Sequence, residues 1–249
     1  MNRFKLLIAM WFIMDNAAAY QQGTRLRLHY QSGLFSYFAY EQDSSAVRQI
    51  SALMNSASLN VSQNLGMEYK HRVIVEIYPD QQAYDENIMN PEMRGTPALS
   101  GSYRIQMVSP NSPIAVQGIP YQQRLQFAVH EFTHLVIDEI SDDVPLWLHE
   151  GMACYEGSHS VYTFVCRHAF PKGNVPTIEA LTRSYNQIPA ADVYPFSLVE
   201  FLIERFGRTK VNEFLGHSQN PQKIFKVTAS EIHQEWKTFI ASHYVSETQ

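Results

Sequence analysis

Apolar residues recur along the chain with strand spacing in some segments and helical spacing in others. Alternation predicts β-strands over residues 25–30 and 102–108, and a run rich in β-branched residues predicts another over 72–78. Apolar positions three and four residues apart predict an amphipathic helix over 44–65. The same reasoning predicts further helices over these segments: 81–88, 121–140, 145–155, 192–206, 211–215 and 231–244.

The order of these elements, with strands early and helices late, predicts an α+β fold. We expect a small mixed β-sheet in the N-terminal half and a mostly helical C-terminal half. No repeat, low-complexity tract or clear linker divides the chain. Residues 20–249 are therefore predicted to form a single domain.

The N-terminus has the three-part pattern of a secretory signal peptide. Arg3 and Lys5 precede an uninterrupted apolar run over residues 6–14, and three alanines follow at 17–19. This run is too short to span a bilayer, which needs about 20 apolar residues. We predict cleavage after Ala19 and a secreted or periplasmic protein without a membrane span. The alternative is a buried N-terminal strand or helix.

Composition and charge exclude several classes of function. Hydrophobic residues make up 45% of the 249 residues, and 19 Lys and Arg against 24 Asp and Glu give a formal net charge of −5. A nucleic-acid-binding domain usually carries a basic excess, so nucleic acid is not an expected partner. Two cysteines are too few for a disulfide-rich scaffold. In an exported protein Cys154 and Cys166 could form a disulfide or stay as buried thiols, and the sequence leaves both open.

The predicted helix over 121–140 contains the sequence HEFTH at 130–134. His130 and His134 are one helical turn apart, so both imidazoles can reach one metal ion. Glu131 projects beside them, where a carboxylate can accept a proton from metal-bound water. Apolar residues surround all three, and buried polar groups of this kind require partners.

A catalytic zinc site uses three protein ligands and keeps the fourth position for water. Ile137 and Ile140 occupy the places at which an extended motif would supply a glycine and a third histidine. Glu150, among apolar neighbours on the next predicted helix, is the candidate third ligand. Asp142 and Asp143 are alternatives, although both have the character of residues that cap a helix.

Two neighbours of Glu150 also bear on the site. Gly151 is expected to let the second helix approach the HEFTH helix closely. His149 is expected to support a ligand or to lie at the surface rather than to bind the metal itself.

The HEFTH sequence followed by W-L-x-E-G-x-A resembles the gluzincin metallopeptidases, in particular the compact thermolysin-like peptidases of clan MA. The resemblance is specific over residues 128–155. It implies a zincin-like fold in which His130, His134 and Glu150 bind one Zn²⁺ ion. It also implies that Glu131 is the general base.

One position agrees with a thermolysin-like pattern and another departs from it. Asp138 matches the last residue of a thermolysin-like HExxHxxxD run. Thermolysin-like enzymes often carry an aspartate four residues after the third ligand, where it orients a ligand imidazole. This chain has Cys154 at that place, so another group must orient the imidazole.

These inferences predict a secreted zinc metalloprotease that hydrolyses peptide bonds with zinc-bound water activated by Glu131. The strand predicted over 102–108 is expected to be an edge strand on which a peptide or protein substrate pairs. The resemblance suggests a Tyr or His as the transition-state donor, with Tyr194 as the first candidate and Tyr155 and His168 as rivals. The alternatives are a catalytically silent zincin that acts as a binding module and a metal-dependent hydrolase of a non-peptide amide.

Overall fold

The computed structural model describes residues 26–113, 119–170, 174–188, 193–217 and 220–245. The predicted signal peptide over 1–19 lies outside these residues, so its cleavage and the export of the protein stay predictions. In the described ranges, none of the helices combines the length and the apolar character that a membrane crossing requires.

One mixed five-stranded sheet lies in the N-terminal half, in the spatial order β1-β2-β3-β5-β4. The two outer pairs, β1 with β2 and β4 with β5, are antiparallel, whereas β2, β3 and β5 run parallel to one another. The strands have these bounds: β1 Arg27–Ser32, β2 Phe35–Ala39, β3 Val73–Tyr78, β4 Ala98–Gly101 and β5 Arg104–Val108. The mixed sheet and its place in the chain are as predicted.

Helices make up most of the described part of the C-terminal half, which confirms the predicted α+β class. They have these bounds: α1 Ser44–Leu65, α2 Gln81–Asn87, α3 Tyr121–Ile140, α4 Leu146–Ala169, α5 Ile178–Ser184, α6 Val193–Phe206, α7 Arg208–Gly216, α8 Pro221–Phe225 and α9 Ala229–Ile240. The bounds of α1 and α3 match the prediction. Helix α4 continues well past residue 155, with a kink at Ser158, where the backbone is not helical (φ −148°, ψ 34°).

The main core lies between one face of the sheet and the helices. Residues with odd numbers on β2, β3 and β5 point into this core, as shown by Tyr37, Val75 and Ile105, which are all fully buried. Helix α1 packs against β1 and β2, and α3 packs against β4 and β5. The short helix α2 covers part of the opposite face, where Tyr84 contributes to a smaller apolar cluster. Helix α3 is therefore held between the sheet and α4.

Strands β2 and β4 were not predicted, and the prediction that 102–108 forms the edge strand is wrong. Strand β5 lies between β3 and β4, so β4 is the edge strand on that side. The hairpin that joins them turns at Ser102 and Tyr103, which both have positive φ angles of 49° and 62°. Such two-residue turns usually contain Asn-Gly or a similar pair. Because Ser-Tyr lacks that signal, the hairpin could not be predicted from the sequence.

Two glycines allow α4 to pack closely against neighbouring helices. Gly157 faces α3, whereas Gly151 faces α6. A Cβ atom at Gly157 would lie 2.6 Å from the backbone nitrogen of His130 on α3. A Cβ atom at Gly151 would lie 2.6 Å from the carbonyl oxygen of Pro195 on α6. The prediction that Gly151 faces the HEFTH helix is therefore wrong. At about 100° per residue, six residues turn a helix by roughly 240°, so the two glycines face different partners.

Candidate metal centre

Helix α3 places the two histidines of HEFTH on the same side, as their spacing predicts. The Nε2 atoms of His130 and His134 lie 3.0 Å apart. Helix α4 brings Glu150 to the same point, with its Oε2 atom 3.5 Å from Nε2 of His130 and 3.7 Å from Nε2 of His134. In the described part of the chain, no other three His, Cys, Asp or Glu side chains converge in this way. The alternative ligands Asp142 and Asp143 are thus outside the cluster.

The three distances fit a tetrahedral zinc ion. Zinc binds imidazole nitrogen and carboxylate oxygen at about 2.0–2.2 Å. In a regular tetrahedron with such bonds, the ligand atoms are about 3.3–3.6 Å apart, and the measured separations of 3.0, 3.5 and 3.7 Å lie around that range. The side chains of His130, His134 and Glu150 are 16%, 12% and 26% exposed. The cluster is therefore mostly shielded, with access for water or a substrate.

Glu131 lies beside this cluster and is itself buried, at 7% exposure. Burial raises the pKa of Glu131, whereas the charge on His130 and a hydrogen bond from the Ser100 hydroxyl lower it in part. Ser100 belongs to the edge strand β4. Sequence reasoning missed Ser100 because it predicted no strand over this segment. The hydrogen bond shows that β4 lies against the part of α3 that carries Glu131.

Comparison with known proteins decides the family. A family model described as the peptidase MA superfamily matches residues 53–241, about three quarters of the chain. The chain belongs to the peptidase MA superfamily. No curated protein matches it.

Membership of the peptidase MA superfamily confirms the resemblance at the level of the clan. It supports a peptidase activity and, with it, peptide or protein substrates. Members of this superfamily typically depend on a metal ion, and the His130, His134 and Glu150 cluster offers a possible place for one. The matched range includes the whole of α3 and α4.

The charges in this MA-superfamily site hold its three convergent side chains in different protonation states. Burial alone would raise the pKa of Glu150, but hydrogen bonding to His130 and the nearby His134 lower it to about 2. Burial and the charge on His130 lower the pKa of His134 well below its ordinary value. Burial would also lower the pKa of His130, yet its hydrogen bonds with Cys154 and Glu150 raise it. Glu150 is thus an anion and His134 is neutral at pH 7, as metal ligands must be, whereas His130 has to give up its proton when a metal binds.

Each histidine of the cluster has a further partner. The thiol of Cys154 is hydrogen-bonded to His130, so a thiol takes the place at which the resemblance expects an aspartate. Nδ1 of His134 contacts Nδ1 of His149 at 2.6 Å, and Nε2 of His149 contacts Oδ1 of Asp138 at 2.9 Å. His149 therefore contacts one of the candidate ligands, as the first of its two expected roles requires.

The three candidates for the transition-state donor have surroundings that differ from those of the cluster. Tyr194 is buried, and its ring packs edge-on against Phe170 and Trp236. The ring of Tyr155 contacts His159, and that of His168 lies against Phe164 on the exposed side of α4. The contacts of the described residues join none of these three side chains to the candidate metal cluster. The transition-state donor therefore stays a prediction.

The two cysteines are both buried and do not form a disulfide with each other. Cys154 faces α3 through its contact with His130. Cys166 lies 4.0 Å from the carbonyl oxygen of Val193 at the start of α6. Of the two possibilities left open by the sequence, the structure has the buried thiols.

Proposed function

We propose that this chain is a secreted or periplasmic zinc metallopeptidase of the gluzincin type, with a single zincin-like domain over residues 20–249. The observation that carries the proposal is the convergence of His130, His134 and Glu150 with a buried Glu131 at their side. Two imidazoles and one carboxylate are a ligand set found in catalytic zinc sites. Harder ions such as Mg²⁺ and Ca²⁺ prefer oxygen ligands alone.

When bound, Zn²⁺ would lower the pKa of a water molecule to about 7 and polarise the scissile carbonyl. Glu131 accepts the proton of the attacking water and then delivers it to the leaving amine. A raised pKa suits both steps, because a general base works best when its pKa lies close to the working pH. The hydroxyl of Ser100 keeps the carboxylate of Glu131 in place between the two steps.

The substrate binds along the edge strand β4. Within the described sheet β4 pairs on one side only, with β5. Its other edge can pair with an extended peptide through main-chain hydrogen bonds. Since Ser100 of this strand contacts Glu131, a peptide paired there passes next to the general base. This replaces the strand over 102–108, which the sequence had indicated.

Tyr194 is the candidate donor to the oxyanion that forms in the transition state. It lies in the first turn of α6, directly before Pro195, whose carbonyl packs against Gly151. Gly151 follows the candidate ligand Glu150. The Tyr194→Phe enzyme should lose kcat while KM changes little, and an unchanged kcat would direct attention to Tyr155 and His168.

The decisive experiment combines metal content with proteolysis. The purified protein should contain about one zinc ion per chain and should cleave a denatured protein. A chelator should stop the cleavage and added Zn²⁺ should restore it. Glu131→Gln should keep the zinc and lose activity by a factor of at least about 10²–10⁴, whereas His134→Ala should lose both. Glu139→Gln is the matched control, since Glu139 pairs with His71 outside the cluster.

The results also separate the proposal from its alternatives. If both the wild type and Glu131→Gln bind zinc and neither cleaves protein, the chain is a binding module. Zinc with cleavage of small amides but of no peptide would indicate a different hydrolase. An active Glu131→Gln variant would refute the role of Glu131. Sequencing of the N-terminus of the exported protein tests the compartment, because an intact residue 1 would contradict cleavage after Ala19.

A further inference from the structure

A chain of two hydrogen bonds leads from His134 away from the metal cluster. Nδ1 of His134 lies 2.6 Å from Nδ1 of His149, and the two rings are within 18° of parallel. Nε2 of His149 lies 2.9 Å from Oδ1 of Asp138. Asp138 is on α3, one turn beyond His134, and His149 is on α4, directly before Glu150. The chain therefore connects the two helices that supply the ligands.

With Asp138 as a carboxylate and His149 as a neutral imidazole, hydrogen-bond chemistry assigns the protons of this chain. A carboxylate can only accept a hydrogen bond, so His149 donates from Nε2 to Asp138. The Nδ1 atom of a neutral His149 then carries no proton and can only accept, which requires His134 to donate from its own Nδ1. The Nε2 atom of His134 is left with a free lone pair. That atom faces Nε2 of His130 at 3.0 Å, inside the cluster.

We propose that His149 and Asp138 are positioning residues that hold His134 in the orientation and tautomer needed to bind the metal. The inference rests on the proposed function, because it assigns the metal to the same cluster. Metal-binding imidazoles are commonly oriented by a carboxylate that accepts from the second ring nitrogen. Here an imidazole stands between the ligand and the carboxylate. Asp138 and His134 are both on α3, and the imidazole of His149 on α4 connects them.

Substitutions of His149 separate hydrogen bonding from packing. His149→Phe keeps a ring of similar size and removes both nitrogens, so it should weaken zinc binding by about 10–100-fold. His149→Asn places an oxygen acceptor at the position of Nδ1 and should restore most of the affinity. The readout is the zinc dissociation constant, measured by competition with a chelator of known affinity. Circular dichroism of each metal-free variant confirms that it is folded.

Asp138 is tested through its coupling to His149. Asp138→Ala in the wild-type background should weaken zinc binding, because His149 loses the acceptor that sets its proton. In the His149→Asn background, Asp138→Ala should have little further effect, since asparagine needs no partner to accept from His134. A double-mutant cycle measures this difference. Glu139→Gln, which removes the neighbouring carboxylate, serves as the control and should leave the affinity unchanged.

A spectroscopic measurement tests the tautomer without any metal. Nitrogen-15 spectra of the histidine-labelled, metal-free protein should show the proton of His134 on Nδ1, and His149→Phe should alter that preference. A proton on Nε2 of His134, or unchanged zinc affinity in His149→Phe, would overturn the inference. Equal weakening by His149→Asn and His149→Phe would do so as well. A wild-type protein that binds no zinc would instead refute the proposed function, and the spectra would still test the proton arrangement.

Discussion

Replacing Gly157 with alanine is expected to destabilise the protein and to weaken zinc binding at the proposed metal site. The added Cβ atom would lie 2.6 Å from the backbone nitrogen of His130 and 2.8 Å from its Cα atom. Ordinary Cβ contacts begin at 3.4 Å. Since both atoms belong to the backbone of α3, no side-chain rotation relieves the clash. The two helices must separate by about 0.8 Å, the difference between 3.4 and 2.6 Å.

Two opposing effects determine the expected change in the free energy of unfolding. Overpacking of this kind typically costs about 1–3 kcal/mol, whereas alanine in place of glycine stabilises a helix by about 0.5–1 kcal/mol. We expect a net loss of about 1–2 kcal/mol in the free energy of unfolding. Zinc affinity should fall too, because metal–ligand distances tolerate changes of only about 0.2 Å. The separation of α3 and α4 moves His130 relative to Glu150.

Urea unfolding in the presence of a chelator measures the stability without any contribution from bound metal. A zinc titration of the same variant measures the loss of zinc affinity. Gly216→Ala is the matched control: it is also a helical glycine, but its Cβ atom would meet Cγ2 of Ile140 at 3.9 Å. That variant should be as stable as the wild type or slightly more so. A Gly157→Ala protein with wild-type stability and wild-type zinc affinity would refute the close approach of the helices.

Two further predictions concern buried groups away from the cluster. The hydroxyl of Tyr37 is buried without a hydrogen-bond partner among the described residues, so Tyr37→Phe should preserve or raise the free energy of unfolding, by up to about 1 kcal/mol. Burial raises the pKa of Tyr37, so its contribution to stability is lost as the pH rises above about 10, the value for an unfolded tyrosine. Urea titrations at pH 7 and above 10 should therefore show an advantage of Tyr37→Phe that grows with pH, and a constant difference would contradict this. Both Cys154 and Cys166 should resist a thiol reagent in the native protein and react in urea without prior reduction. A mass change on reduction would show that the two are joined in a disulfide.

Much of the site could be predicted from the sequence because helix geometry is local. The bounds of α1 and α3 followed from apolar spacing, and the spacing of His130 and His134 placed both imidazoles on one side of α3. Glu150 could be proposed as well, since a carboxylate among apolar residues needs a cation nearby. Its distances to the two histidines bear out that it reaches the same point.

Only the tertiary structure decided how separate elements meet. It put β4 rather than β5 at the edge of the sheet, which brought Ser100 to Glu131. It also placed Gly157 rather than Gly151 against α3, and His149 between His134 and Asp138. These contacts depend on the rotation and approach of whole helices and strands, which are set by packing across the core. The sequence by itself determined which residues share a helix face, and the packing of the folded chain determined which faces touch.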